Sequence, residues 1–125
     1  MSRNIVSTPN APKSPVYSQA VRAGGLIFVS GTAPADPTTG KMIEGTVQEQ
    51  VAQCLRNISA ILEAAGSSLD KAVSATLIIA DEDDFAAINE EWLRWFPVDP
   101  PARQGAKLPV RIPGLKVSIA MIAQA

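Results

Sequence analysis

The chain has 125 residues, of which 46% are hydrophobic and 18% charged, and its formal net charge is −1. At this length we expect one domain over residues 1–125. The chain contains no histidine and a single cysteine, Cys54. These counts exclude histidine-dependent nucleophile systems, histidine-ligated or cysteine-cluster metal sites and an intramolecular disulfide. The near-neutral charge gives no reason to expect nucleic acid as a partner.

Signals for membranes or export are missing from the sequence. The first residues lack the apolar segment of a signal peptide, and no apolar run reaches transmembrane length. We therefore expect a cytoplasmic protein without a membrane partner, or an organellar one if a targeting extension has been removed. The charged fraction is below the usual value of about a quarter, which favours partner subunits that cover part of the surface.

The first part of the chain is rich in strand and turn signals. A short strand is predicted at Asn4–Ser7, and three prolines make Thr8–Pro15 extended or turning rather than helical. Strand-forming residues at Val16–Ala23 and Leu26–Ser30 flank Gly24-Gly25, which is typical of a hairpin. The second of these strands is apolar on both faces, so we expect it to be central and covered.

A long amphipathic helix follows. Thr46 and Glu49 have the spacing of a capping box, and Gly66 is placed to end the helix. Apolar residues recur between them at helical spacing, namely Val47, Val51, Leu55, Ile58, Leu62 and Ala65. Cys54 lies on the flank of this stripe, so we expect a packed, unreactive thiol.

A strand and a second helix are predicted next. Lys71–Ala80 has the pattern of a strand, and the acidic run Asp81–Asp84 precedes a new helical stripe that Pro97 ends. The stripe consists of Phe85, Ile88, Trp92, Trp95 and Phe96. We expect Trp92, Trp95 and Phe96 to anchor the core. Carboxylates at a helix N-terminus are stabilising, and this interpretation is favoured over a metal site because the run lacks the ligand spacing of a calcium loop.

Two more strands, Ala102–Leu108 and Leu115–Ala123, complete the chain. Strands outnumber the two striped helices, so the predicted fold class is α+β. We expect one mixed sheet of about six strands with both helices on one face. The other face would carry small and apolar residues, and a second subunit is the simplest cover for it.

The stretch Pro100-Pro101-Ala102-Arg103-Gln104-Gly105 stands out chemically. Two prolines stiffen the chain before Arg103, and Gly105 allows the backbone to approach another group closely. A guanidinium matches a carboxylate with two parallel hydrogen bonds. All charged residues after Asp99 are basic, namely Arg103, Lys107, Arg111 and Lys116. The pattern favours a clamp for a small anion, with a surface arginine near a loop as the alternative.

Several segments, taken in order, resemble the reactive intermediate deaminase (Rid) family, also called YjgF-like or L-PSP endoribonuclease-like proteins. They are Tyr17-Ser18-Gln19-Ala20, Val29-Ser30-Gly31, Leu62-Glu63-Ala64-Ala65-Gly66, Asp84-Phe85-Ala86-Ala87-Ile88-Asn89, Pro101-Ala102-Arg103 and the closing Ile119–Ala123. The resemblance covers nearly the whole chain. It implies a chorismate-mutase-like fold, assembled as a homotrimer with a ligand cleft at each subunit interface.

The resemblance also implies an activity: hydrolysis of enamines and imines, such as 2-iminobutanoate and 2-iminopropanoate, to a 2-oxo acid and ammonia, with no cofactor and no metal. It implies that Arg103 binds the substrate carboxylate and that Gly31 offers backbone to it. Gly105 would offer backbone to the reacting nitrogen or water. The cleft would be lined by Tyr17, Ser30 and Asn89.

The chain departs from the family pattern in its last strand. A glutamate that positions the hydrolytic water is usual there, whereas this chain has Ser118, which we expect to hold the water instead. Gln104 and Gly105 also replace the usual small or apolar residue and cysteine. Deamination is therefore expected first. A protein that binds a small 2-oxo acid without turnover is the alternative, and RNA cleavage is a third, less favoured one.

Overall fold

The computed structural model describes residues 3–125. Six strands form one mixed sheet, and two α-helices pack against it. The strands are β1 (Asn4–Val6), β2 (Ala20–Ala23), β3 (Leu26–Thr32), β4 (Ala72–Ile79), β5 (Ala102–Lys107) and β6 (Val117–Gln124). The helices are α1 (Val47–Ala64) and α2 (Phe85–Trp95), and short 3₁₀ turns occupy Leu69–Lys71 and Glu82–Asp84.

The sheet has the strand order β1-β2-β3-β6-β4-β5. All neighbouring strands are antiparallel except β4 and β5, which are parallel. Parallel neighbours need a crossover connection, and α2 supplies it, so β5 becomes an edge strand lying beside α2. The predicted α+β class, with a mixed six-stranded sheet, is confirmed.

Helix α1 forms as its capping signals predict. The Glu49 backbone N–H donates to the Thr46 hydroxyl at 3.2 Å, and the Thr46 backbone N–H donates to the Glu49 carboxylate at 3.0 Å. Gly66 follows the helix with φ +84°, a conformation that favours glycine. Cys54 is fully buried, and this burial raises the pKa of its thiol far above the ordinary value. The thiol is therefore packed and unreactive, as predicted.

Both helices cover the same face of the sheet. The core there combines α1 and α2 with the inward residues of the central strands, among them Ile27, Val29, Leu77, Ile119 and Met121. The opposite face has no cover from its own chain within residues 3–125: Ile78, Ala120 and Ile122 are partly exposed, and Phe28 is 42% exposed. The apolar strand β3 is thus covered on one face only.

Two details differ from the sequence prediction. The strand predicted at Val16–Ala23 is too long, because only Ala20–Ala23 pairs. The Gln19 side chain binds the preceding proline-rich loop instead, accepting from the Thr8 backbone N–H and donating to the Ala11 carbonyl. The acidic run also forms a 3₁₀ turn before α2, where the Asp81 carboxylate accepts from the backbone N–H of Asp83.

No helix within residues 3–125 is long and apolar enough to cross a membrane. The cytoplasmic location stays a prediction.

Candidate functional site

A cleft lies between the edge strand β5 and the start of α2. Its volume is about 420 Å³, and its lining includes Leu77, Glu82, Phe85, Arg103, Gly105 and Lys107. The parallel pairing of β5 with β4 places Arg103 opposite Ala75 and Gly105 opposite Leu77. Because Ala75 and Leu77 belong to the buried core, the cleft lies on the helical side of the sheet.

Arg103 is held in a fixed orientation in this cleft. Its Nη2 donates to the Asn89 Oδ1 at 2.6 Å, and its Cζ lies 5.7 Å and 5.4 Å from the ring centroids of Phe85 and Trp92. The ion pairs among residues 3–125 do not include Arg103. The guanidinium is thus oriented by a neutral amide and two rings while its charge stays available to an anion.

The sequence of α2 explains this geometry. Phe85, Asn89 and Trp92 follow one another at spacings of four and three, which places them on one face of a helix. We expected Asn89 in the cleft, and it binds Arg103 there. We expected Trp92 in the core; it is only 4% exposed, and its ring also contacts the Arg103 guanidinium. The role of Phe85, which is 52% exposed beside Arg103, was missed because an aromatic residue at helical spacing indicates a core position.

Gly105 lies in a close approach between β5 and β4. A Cβ at this position would be 3.0 Å from the Leu77 carbonyl oxygen, so a side chain would require the strands to shift. Gly105 is exposed, and β5 is an edge strand with one backbone edge unpaired by the sheet. The predicted role of its backbone in contacting a ligand fits this placement.

A second group of predicted residues gathers where β3 is irregular. The register of β3 against β6 shifts between Val29 and Thr32, and Ser30 and Gly31 lie at this bulge. The Ser30 hydroxyl donates to the Ser18 carbonyl at 2.5 Å, next to Tyr17, which is 53% exposed. A Cβ on Gly31 would lie 3.5 Å from the Ser118 Oγ, so the bulge and Ser118 form one continuous surface.

The two groups are far apart within one chain. β6 and β4 separate β3 from β5, and three strand spacings of about 4.8 Å give about 14 Å; Ser118, on β6, is two spacings or about 10 Å from β5. Ser118 is paired with Ile78, whereas Arg103 is paired with Ala75, so their side chains point to opposite faces of the sheet. We call Asn89, Arg103 and Gly105 the clamp half-site, and Tyr17, Ser30, Gly31 and Ser118 the serine half-site.

Metal ligation has no support in the described part of the chain, where no cluster of three or more histidine, cysteine, aspartate or glutamate side chains is arranged to hold an ion. An oriented guanidinium outside the ion pairs of the described residues, beside an open cleft, instead has the chemistry to accept a small carboxylate. The class of protein is thus a small α+β protein with a candidate anion-binding cleft at the edge of its sheet.

Comparison with known proteins identifies the family. The family model described as Endoribonuclease L-PSP matches residues 8–125. A RutC family protein of Pyrococcus horikoshii is 44% identical over 103 residues, 81% of each chain. The 2-iminobutanoate/2-iminopropanoate deaminase of Mus musculus is 36% identical over 122 residues, 97% of this chain and 90% of that protein.

The fold agrees with this assignment. The crystal structure of a Rid family protein of unknown function from Yersinia pestis superimposes with a TM-score of 0.93 at 32% identity, covering 99% of this chain and 100% of that one. The chain belongs to the Rid family, which the matching model describes as Endoribonuclease L-PSP. The family predicted from the sequence is confirmed.

Proposed function

We propose that this protein is a cofactor-independent deaminase that hydrolyses 2-imino and 2-enamino acids to 2-oxo acids and ammonia. The observation that carries the proposal is Arg103, oriented by Asn89 and two aromatic rings with its charge unpaired in an open cleft. The name of the mouse relative, a 2-iminobutanoate/2-iminopropanoate deaminase, supports the same substrate class.

We further propose that the active site forms between subunits of a homotrimer. A substrate of a few carbon atoms cannot contact both half-sites of one chain, because two to three strand spacings, about 10–14 Å, and the sheet itself separate them. Neighbouring copies that pack on the open sheet face would cover Phe28 and Ile122, and a copy that extends around the β5 edge would bring its serine half-site to this chain's clamp half-site. The small charged fraction of the sequence is consistent with such coverage.

In the proposed mechanism, Arg103 binds the substrate carboxylate through two N–H donors and fixes the imine carbon near the serine half-site. The Ser118 hydroxyl of a neighbouring copy accepts a hydrogen bond from water and aims its oxygen at that carbon. Water adds to the protonated imine to give a carbinolamine, and the proton it releases returns to the nitrogen. The carbinolamine hydroxyl then gives up its proton to the departing nitrogen as the C–N bond breaks, leaving the 2-oxo acid and ammonium, that is, ammonia and a proton.

Ser118 acts here by positioning. A serine hydroxyl does not serve as a base near neutral pH without a helper such as histidine, and the chain has none. A protonated imine is electrophilic enough for water to attack without full deprotonation, so orientation and charge neutralisation would supply the rate acceleration.

The test is a coupled assay in which a pyridoxal-phosphate dehydratase generates 2-aminoacrylate and the formation of 2-oxo acid is followed. Wild-type protein should accelerate the reaction, and Arg103→Ala should lose the acceleration. Arg56→Ala is the matched control, since Arg56 is exposed on α1, away from both half-sites, and should retain it. Equal acceleration by wild type and Arg103→Ala would contradict the mechanism.

Binding without turnover is the second candidate, and one observation favours it: Ser118 stands where the family pattern has a water-positioning glutamate. Saturable binding of 2-oxobutanoate that depends on Arg103, with no acceleration of imine hydrolysis, would establish this alternative. RNA cleavage is not proposed, because a chain without histidine lacks the usual acid–base group for phosphodiester cleavage.

A further inference from the structure

The cleft at Arg103 continues beyond the clamp half-site. Side chains alternate along a strand, so Arg103, Gly105 and Lys107 of β5 lie on the same side. Glu82 precedes Phe85 by three residues and extends the α2 side of the cleft in the direction of Lys107. The cleft therefore has a cationic end at Arg103 and a second charged end at Glu82 and Lys107, with Gly105 leaving the space between them open.

The second end of the cleft is an ion pair in which a cationic group of a ligand can replace Lys107. Lys107 Nζ donates to Glu82 Oε1 at 2.8 Å, and the side chains are 63% and 76% exposed. An exposed pair of this kind contributes at most about 1 kcal/mol, so replacing Lys107 by another cation costs little.

The charge at this end is predominantly negative. The hydrogen bond and the charge of Glu82 raise the pKa of Lys107, and the charges of Asp81 and Asp83 raise it further. Three carboxylates thus act on a single amine. An incoming cation would find two uncompensated carboxylates nearby, whereas an incoming anion would be repelled by them.

The middle of the cleft suits an alkyl chain. Leu77, Ile79 and Phe85 line it, so methylene groups would contact apolar surface. Lys107 follows Arg103 by four positions on β5, so their backbones lie about 13 Å apart along the strand. An unbranched amino acid with a terminal ammonium after four methylenes spans about 7–8 Å, given bond lengths of about 1.5 Å. A ligand of this length is therefore shorter than the β5 side of the cleft and can lie along it.

We propose that Glu82 is a specificity-determining residue that selects substrates whose unbranched side chain ends in a cation, an ammonium or a guanidinium. In the free protein Lys107 occupies the position that this cation takes. The inference rests on the proposed function, since Arg103 must bind the carboxylate for the side chain to point along the cleft.

Amino acids test this inference separately from catalysis, because they carry the carboxylate and the α-nitrogen but cannot be hydrolysed by this route. Binding of L-lysine, L-norleucine and L-2-aminoadipate to the full-length protein would be measured by calorimetry. We expect L-lysine to bind more tightly than L-norleucine by at most about fivefold, because an exposed pair contributes at most about 1 kcal/mol and the ligand must displace Lys107. We expect L-2-aminoadipate to bind most weakly.

Glu82→Gln should abolish the preference for L-lysine, and Lys107→Met should increase it by freeing Glu82. Glu63→Gln, on the exposed side of α1, is the matched control and should leave it unchanged. Equal binding of L-lysine and L-norleucine, or a preference that survives Glu82→Gln, would overturn the inference. If L-norleucine binding still requires Arg103, the proposed function stands; binding that is indifferent to Arg103→Ala overturns both.

Discussion

At the scale of single residues, Asn89 orients the Arg103 guanidinium and, being neutral, leaves its positive charge uncompensated. The amide oxygen of Asn89 accepts from Nη2 at 2.6 Å without cancelling the charge. Asn89→Asp would place a carboxylate there and compete with the ligand, whereas Asn89→Ala would only remove the orientation. We expect the Kd for 2-oxobutanoate to rise about tenfold in Asn89→Ala and further in Asn89→Asp, given about 1.5–3 kcal/mol for hydrogen bonds to charged groups.

Calorimetric titration of the two variants and of Glu90→Gln checks this expectation. Glu90 is exposed on α2 and serves as the control, with unchanged affinity expected. Equal affinities of Asn89→Asp and Asn89→Ala would show that the charge of Arg103 does not bind the ligand.

Single residues also show what the sequence can reveal. Arg103 and Gly105 were identifiable because two prolines, a cation and a glycine stand in one short stretch. Phe85 was harder to assign, since an aromatic residue at helical spacing indicates a core position. Its contact with Arg103 arises only because β5 pairs with β4, which places the Arg103 guanidinium against the Phe85 ring. The ion pair of Glu82 with Lys107 is likewise a product of tertiary structure.

At the scale of elements, α1 is the part that local chemistry determines most completely. Thr46→Ala would remove the acceptor for the Glu49 backbone N–H, and loss of such a cap costs about 1 kcal/mol. We expect Tm to fall by a few degrees at neutral pH, measured by calorimetry. Thr38→Ala, in an exposed loop, should leave Tm unchanged; an equal fall in both would contradict the capping argument.

The pH of that measurement matters because the hydrogen bonds from Thr46 lower the pKa of Glu49. A lowered pKa in the folded state means that the stabilisation is fully present above the ordinary pKa of a glutamate. It is lost as the pH falls through the lowered pKa. The contribution of this capping box should therefore be tested at neutral pH and should weaken in acid.

The ends of strands are predicted wrongly where contacts with residues distant in the sequence determine them. The residues from Val16 to Gln19 favour a strand by composition, yet the Gln19 side chain binds the loop that begins at Thr8. Those hydrogen bonds span eleven residues of sequence, so no local pattern reports them. The bulge at Ser30 and Gly31 is similar, because it arises from the register of β3 against a strand at the far end of the chain.

At the scale of the whole molecule, the separation of the two half-sites gives a sharp test of assembly. Arg103→Ala disables the clamp half-site, and Ser118→Leu fills the serine half-site with an apolar side chain. Each homo-oligomer should be inactive in the coupled assay. If each active site combines half-sites of different copies, unfolding and refolding an equal mixture should restore activity at about one quarter of the sites, since two independent halves must both be intact.

The result separates the two arrangements of the active site. A site built within one chain would never be intact in the mixture, since every chain carries one disabled half, so activity would stay at the level of the separate variants. Mixing without unfolding is the control and should restore little activity as long as subunits do not exchange. Recovery after refolding would thus locate the catalytic cleft between copies of this chain, as we propose from the sheet order and the opposite facing of Arg103 and Ser118.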